Sequence, residues 1–258
     1  MMYVPAHEQV GYSFATWQTV VDDERQGRFH KAAAIDSTLF SGMVDVSVLS
    51  NDCLHGARPR EALGAKRLHI GVRVRQVRPV LLGEDLNVEG QVTAIRPVRR
   101  GRYIEVAFQF RASDGSVPVE IDHKSLILDA APLPAASGPK PRNMEIGGFD
   151  VLRQVSLTPE MVRGYSYEFP HLAAHHDPEA AAAIGMRAPI AQGLMGFGLL
   201  FQECVRDGNP ETFDIEARFK RPIFWDDVLS LEMARGREFR ARNAQEKTVS
   251  ELSIYDWN

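Results

Sequence analysis

A nine-residue segment that occurs twice constrains the fold of this 258-residue chain more than any other feature. Arg78–Leu86 aligns without gaps on Arg221–Leu229, and both copies begin with Arg-Pro and end with leucine. Arg-Pro by itself is a common way to end a strand. Here, however, an apolar helix-like run and a strand-like run precede the second Arg-Pro as they precede the first, and a further strand pattern follows each. The recurrence of the whole order indicates one folding unit made twice.

A proline-rich segment separates the two units. Ala130–Arg142 contains four prolines and one glycine, which can continue neither a helix nor a central strand. We therefore predict an N-terminal unit over residues 1–129, a linker over 130–145 and a C-terminal unit over 146–258. Within its unit, the second Arg-Pro is followed by fewer residues of strand pattern than the first. We therefore expect one C-terminal strand or hairpin to be shortened.

Each unit combines one buried helix with several strands. The apolar runs Thr38–Ser50 and Gly193–Val205 predict the helices, and Leu39–Met43 is similar in place to Ala191–Met195. The predicted strands include Val72–Val74, Leu86–Val88, Ile104–Phe110, Val117–Leu128, Ile215–Phe219, Leu229–Met233 and Leu252–Ile254. A curved antiparallel sheet wrapped around a helix, made twice, is the α+β double hot-dog fold. Edge strands of the two sheets can pair into one continuous sheet.

The composition argues against several classes of function. A net charge of -4 and a pI near 6.1 give no global reason to bind nucleic acid or an anionic membrane. Cys53 and Cys204 lie far apart without metal-ligand spacing, so we expect two core thiols and neither a metal site nor a disulfide. The familiar nucleotide-binding, phosphate-binding, serine-hydrolase and zinc-protease motifs are missing, and we predict no cofactor. No signal-peptide pattern or run of eighteen apolar residues occurs, so we expect a cytoplasmic location.

The densest polar cluster of the chain lies in the C-terminal unit. Glu168–Pro178 contains three histidines, namely His171, His175 and His176. An alanine-rich helix pattern over 179–184 and a short loop follow this cluster. Pro189–Gly193 then leads into the buried helix.

These residues resemble the signature of the MaoC-like, or hydratase-2, family. The matching positions are His175, Asp177, Pro178, Glu179, Ala183, Gly185, Pro189, Ile190, Ala191 and Gly193. The chain departs from the family at three polar positions. Pro170 stands where the family has its catalytic Asp, Leu172 where it has Asn, and Gln192 where it has the His before the helix glycine.

The resemblance implies reversible hydration of a 2-enoyl thioester to a 3-hydroxyacyl thioester, carried by coenzyme A or by acyl carrier protein. It implies that His175 is the general acid/base and that the Gly193 backbone N–H faces the thioester carbonyl. Either Glu168 or a displaced His171 could supply the missing acid/base partner. The segment formed by Pro189, Ile190, Ala191 and Gln192 is expected to bind the substrate.

The neighbouring residues have other predicted roles. Asp177, just before Pro178, suits the N-cap of the alanine-rich helix. The N-terminal unit has no His-x-Asp-Pro and, by the same resemblance, is expected to hold the acyl chain. The arginines around Arg99–Arg102 form either a solvated loop or a contact with coenzyme A or carrier-protein phosphates.

Two alternatives to a hydro-lyase remain open. The first is a catalytically silent hot-dog module that binds an acyl thioester or pairs with an active subunit, which the replacements at Pro170 and Leu172 favour. The second is a hot-dog thioesterase that uses a carboxylate, for which Glu168 and Asp45 are the candidates. In each case we expect a homo-oligomer, such as a homodimer, formed through the sheets.

Overall fold

A computed structural model of the protein describes residues 8–56, 67–129 and 147–258. The first half contains β1 (Trp17–Thr19), α1 (Asp23–Ala33), a 3-10 turn (Ser37–Phe40), α2 (Val46–Gly56), β2 (Arg67–Gln76), β3 (Leu86–Val98), β4 (Gly101–Ala112) and β5 (Val119–Leu128). The second contains β6 (Asp150–Ser156), α3 (Pro159–Tyr165), a 3-10 turn (Ala173–His175), α4 (Pro178–Ala183), α5 (Gly193–Val205), β7 (Phe213–Phe219), β8 (Val228–Ala234), β9 (Glu238–Arg242) and β10 (Thr248–Trp257). The predicted linker, residues 130–145, lies outside the described residues.

The described strands form one continuous antiparallel sheet in the order β1-β3-β4-β5-β2-β7-β10-β9-β8-β6. Read from either edge to the centre, the two halves have the same order, with each strand of the second half numbered five higher. β2 and β7 pair in the middle, from Gly71 opposite Arg218 to Gln76 opposite Phe213. This arrangement confirms the predicted double hot-dog fold with a joined sheet, and it leaves no free strand edge where the halves meet.

The predicted sequence repeat is reproduced by matching backbone contacts. In each half, the segment before the long buried helix pairs with the turn after Arg-Pro. The β-bridge Met43–Leu81 in the first half matches Ile190–Phe224 in the second. The hydrogen bond from Val44 N to Val80 O matches that from Ala191 N to Ile223 O, both at 2.8 Å. The hydrogen bond from Leu82 N to Gly42 O matches that from Trp225 N to Pro189 O.

These contacts correct the register of one predicted equivalence. Met43 matches Ile190, so Asp45 matches Gln192, and the proposed match of Leu39–Met43 with Ala191–Met195 is wrong by five residues. The error arose because both segments are apolar and contain a Gly-Met or Leu-Met pair, whereas backbone pairing sets the true register.

The predicted helix over Thr38–Ser50 is also corrected. Asp36 caps a short 3-10 turn by accepting a hydrogen bond from Thr38 N, and that turn ends at Ser41 and Gly42, which have φ of 47° and 81°. The helix itself, α2, runs from Val46 to Gly56. The polar second half of α2 was not predicted because Asn51 and Asp52 are buried, although polar side chains usually indicate an exposed position.

The second predicted helix is confirmed with both of its ends, because α5 spans Gly193–Val205. Its glycines allow close packing, as expected. A Cβ at Gly196 would lie 2.6 Å from Ser250 Oγ on β10, and one at Gly198 would lie 2.9 Å from Ser47 Oγ on α2. The two central helices therefore contact each other inside the sheet.

The remaining structural predictions agree with the fold. β8 and β9 have seven and five residues, compared with thirteen and twelve in the equivalent strands β3 and β4, which confirms the shortened C-terminal hairpin. Cys53 and Cys204 are both free and buried.

The central pairing of β2 with β7 depends on Gly71. A Cβ there would lie 2.7 Å from the carbonyl oxygen of Ala217, and a backbone atom cannot rotate away as a side chain would. We predict that Gly71→Ala lowers the free energy of unfolding by about 1–3 kcal/mol, measured by urea denaturation. The matched control is Gly27→Ala in α1, where nothing lies within 4 Å and the same change should stabilise by up to about 1 kcal/mol. Equal effects of the two substitutions would contradict the prediction.

Candidate active site

His175 is held against the segment that leads into α5. It ends the 3-10 turn Ala173–His175, and its Nδ1 lies 2.6 Å from the carbonyl oxygen of Ile190. The Ile190 N–H donates in turn to the carbonyl of Ala174 at 3.2 Å. Two segments that are fifteen residues apart in sequence are thus joined by a reciprocal pair of hydrogen bonds.

The contact with Ile190 determines which ring nitrogen of His175 can act as a base. A carbonyl oxygen only accepts, so Nδ1 must carry the hydrogen that it donates. In the neutral ring the lone pair is then on Nε2, which can take a proton from a bound hydroxyl group. His175 is half-buried, which suits a group that must exchange protons with a bound substrate.

The start of α5 lies directly after this contact. Gln192 is the N-cap residue and its side chain makes no capping hydrogen bond. The first backbone N–H groups of a helix lack partners within the helix, and the helix dipole favours developing negative charge beside them. Gly193 is required here because a Cβ would lie 2.6 Å from the ring of Phe219.

The predicted substrate-binding segment, residues 189–192, is anchored through its backbone, whereas the side chain of its last residue has no hydrogen bond in the described structure. Pro189 and Ala191 are tied through their backbones to Trp225 and Ile223. The Gln192 side chain is only 4% exposed, yet neither its Oε1 nor its Nε2 has a hydrogen-bond partner among the residues that the structure describes.

Glu168 is engaged in a different network. The Arg25 guanidinium donates to both of its carboxylate oxygens, at 2.7 and 3.1 Å, and His55 and Tyr167 donate to them at 3.0 Å each. Arg25 also pairs with Asp52 at 3.1 Å. Glu168 therefore links the loop before His175 to α1 and α2 of the first half. None of the other predicted catalytic residues is among its hydrogen-bond partners in the described chain.

This network makes Glu168 a weak base. Burial alone would raise the pKa of Glu168, but hydrogen bonds from His55 and Arg25, together with the Arg25 charge, outweigh burial and lower the pKa to about 2. A carboxylate with so low a pKa stays ionised and has little tendency to accept a proton at neutral pH.

The remaining polar residues of the cluster separate by role. Asp177 is the N-cap of α4, with Oδ1 accepting from Glu179 N at 2.8 Å and Pro178 in the first turn, which confirms that prediction. His171 is exposed and its ring contacts Phe169 edge to face, with ring centroids 6.1 Å apart. Its predicted catalytic role stays a prediction.

The first half contributes residues beside the site that were not predicted from the sequence. His69 on β2 stacks on His123 on β5, with centroids 4.0 Å apart, and meets Phe219 edge to face at 4.8 Å. Because the Phe219 ring covers Gly193, the first half supplies part of the wall beside the start of α5. The alternation of buried residues along β5 places His123 on the inner face, but only pairing across the junction brings it towards this site.

A cavity of about 480 Å³ lies beside Phe219 at the junction of the halves. Here the pairing of β2 with β5 shifts register next to Gly71. Its lining includes Tyr103, Lys124 and Arg218. Lys124 pairs with Glu105, and Arg218 with Glu216, so these charges are largely balanced within the protein.

Solved structures show the class of fold. HtdX from Mycobacterium tuberculosis has a TM-score of 0.73 at 15% identity, over 93% of this chain and 99% of that one. A MaoC-like dehydratase from Phytophthora capsici has a TM-score of 0.71 at 18% identity, over 99% of both chains. An acyl-ACP thioesterase from Bacteroides thetaiotaomicron has a TM-score of 0.55 at 12% identity, over 93% and 96%. Identities this low show the fold alone, and the protein belongs to the hot-dog class.

One family model is similar to the C-terminal part of the chain. The model of the MaoC like domain matches residues 147–255, which include His175 and all of α5. The C-terminal part of the chain is thus similar to the MaoC like domain. No curated protein sequence matches the chain. No helix in the described part of the chain is long and apolar enough to cross a membrane.

The depressed pKa of Glu168 predicts a pH-dependent contribution to stability. The pKa is lower in the folded protein than its ordinary value of 4.5, so the contribution is complete above about pH 4.5 and is lost as the pH falls towards 2. We expect Glu168→Gln to lower the free energy of unfolding by about 2 kcal/mol at pH 7 and by clearly less at pH 3. Urea denaturation at both pH values measures this, with the exposed Glu211→Gln as control. A pH-independent difference would show that the ion pair with Arg25 is not responsible.

Proposed function

We propose that the protein catalyses reversible hydration of a 2-enoyl thioester to a 3-hydroxyacyl thioester. The observation that carries this proposal is the 2.6 Å hydrogen bond from His175 Nδ1 to Ile190 O, which puts the lone pair of the neutral ring on Nε2 and ties His175 to the segment that leads into α5. The match to the MaoC like domain over residues 147–255 supports the same reaction class.

The proposed reaction needs one proton acceptor and one set of fixed dipoles. His175 Nε2 takes a proton from water while the water oxygen bonds to C3 of the enoyl group, and the C2–C3 double-bond electrons move towards the thioester carbonyl. The Gly193 N–H and the α5 dipole stabilise the resulting enolate oxygen. The protonated His175 then returns its proton to C2, which completes the addition of water with no net change at the protein.

The first half is proposed to hold the acyl chain and part of the wall of the site. The contact of His69 with Phe219, which covers Gly193, supports a shared site at the junction. Either coenzyme A or acyl carrier protein would carry the acyl group. A cytoplasmic homodimer is the assembly that we propose.

A silent acyl-thioester-binding module is the second candidate function. Pro170 and Leu172 replace polar family residues, and Glu168, whose pKa is lowered to about 2, is held by Arg25. The thioesterase alternative is weaker, because its other candidate, Asp45, is fully buried and hydrogen-bonded to His30 at 3.0 Å.

Hydration of crotonyl-CoA, followed as loss of the enoyl-thioester absorbance, tests the proposal. We expect turnover by the wild-type protein and a loss of at least about 100-fold in kcat for His175→Ala. His176→Ala is the matched control, because the His176 ring bonds to the Phe169 carbonyl at 3.3 Å rather than to Ile190.

The same assay separates the alternatives. Folded wild-type protein that binds enoyl-CoAs of several chain lengths without converting them would favour the silent module. Release of free thiol in place of hydration would favour a thioesterase. Full activity in His175→Ala would overturn the assignment of the base.

A further inference from the structure

The first half of the chain provides an internal reference for the site in the second half. Asp45 and Gln192 occupy equivalent N-cap positions at the starts of α2 and α5. Asp45 is completely bonded: its Oδ1 accepts from Ser47 N at 2.8 Å and its Oδ2 from His30 Nε2 at 3.0 Å. In the first half, the carboxylate at this N-cap position therefore has protein hydrogen-bond partners on both of its oxygens.

The repeat also identifies the partner position in the second half. His30 lies eight residues after Asp22, the N-cap of α1, and Ser166 lies eight residues after Thr158, the N-cap of α3. The adjacent rings of Phe29 and Tyr165 contact each other where α1 and α3 pack together, with centroids 4.9 Å apart. The counterpart of the pair Asp45 and His30 is thus Gln192 and Ser166.

These two side chains are buried without hydrogen bonds in the part of the chain that the structure describes. Ser166 is 0% exposed, and its Oγ, like Oε1 and Nε2 of Gln192, has no hydrogen-bond partner among the described residues. Buried polar atoms are nearly always hydrogen-bonded, so unbonded ones at equivalent positions of two elements indicate a bound group. An amide and a hydroxyl offer both donors and acceptors without charge, which complements a neutral hydroxyl group better than an anion.

Gln192 is adjacent in sequence to both parts of the proposed reaction site. Gln192 directly precedes Gly193. It lies two residues after Ile190, whose carbonyl oxygen accepts the hydrogen bond from His175. The thirteen-residue helix α5 begins immediately after it, and no side chain caps that helix.

We propose that Gln192, with Ser166, binds the hydroxyl oxygen of the reaction, which is the water consumed in hydration and the 3-hydroxyl group of the product. This inference rests on the proposed function and adds a substrate-binding role for an amide at the helix start. It also accounts for one site per chain, because Asp45 and His30 occupy the equivalent position in the first half.

A binding experiment without turnover tests the role of Gln192. In the His175→Ala background, calorimetric titrations compare 3-hydroxybutyryl-CoA with butyryl-CoA, which differs only by lacking the hydroxyl group. We expect the hydroxylated compound to bind roughly tenfold more tightly, as for one or two net hydrogen bonds. Adding Gln192→Met, which keeps the side-chain length but removes both polar atoms, should abolish that preference.

Two further variants guard against a purely structural effect. Ser166→Ala removes one oxygen atom and should partly reduce the preference for 3-hydroxybutyryl-CoA. If the Gln192→Met protein does not fold, Ser166→Ala serves as the test variant in its place. Ser250→Ala is the matched control, because Ser250 Oγ is also buried without a hydrogen-bond partner in the described chain but lies against Gly196, inside α5. The control should retain the full preference.

The outcomes distinguish this inference from the proposed function. Equal binding of the two compounds, or a preference that survives Gln192→Met and Ser166→Ala, overturns the inference even if the wild type hydrates crotonyl-CoA. A preference lost in Gln192→Met supports the inference even if the wild type hydrates no enoyl-CoA, in which case the proposed function fails alone.

Discussion

The pairing of β2 with β7 is the constraint on which the other features depend. Six backbone pairs, from Gly71 opposite Arg218 to Gln76 opposite Phe213, join two five-stranded sheets into one. Because hydrogen-bonded strands lie about 4.8 Å apart, this pairing also determines how closely the two inner faces approach. It brings α2 against α5, and it carries His69 and His123 from the first half to Phe219 and the start of α5.

Within this symmetric frame the two halves have diverged through a few buried polar residues. At one helix start Asp45 and His30 form a buried hydrogen bond, and at the other the side chains of Gln192 and Ser166 remain without protein partners in the described chain. A buried polar group is costly unless something bonds to it, so the first arrangement favours a closed structural position and the second a binding position. Arg25 then holds the loop ahead of His175 in place through Glu168, across the boundary between the halves.

Local sequence signals were sufficient where periodicity is strong, and α5 is the clearest case because its residues are apolar on nearly every side. Five elements were not predicted from the sequence, namely α1, α3, β1, β6 and β9. α1 is largely charged on its surface, and its buried face includes Gln26 and His30, so it has no continuous apolar stripe. α3 did carry a start signal, Thr158 followed by Pro159 and Glu160, which a search for capping residues would have found. β9 has only five residues, with Phe239 and Ala241 as its inward positions.

The order of elements made twice, the double hot-dog class and the two segments around His175 and before α5 could be predicted from the sequence alone. Those features follow from apolar periodicity, turn residues and a local motif, all of which act over short distances along the chain. Only the tertiary structure decided the register of the repeat, the engagement of Glu168 by Arg25 and the approach of His69 and His123 to Phe219. These depend on backbone pairing and on charge contacts between residues more than a hundred positions apart, and no local pattern encodes which distant partner a side chain will meet.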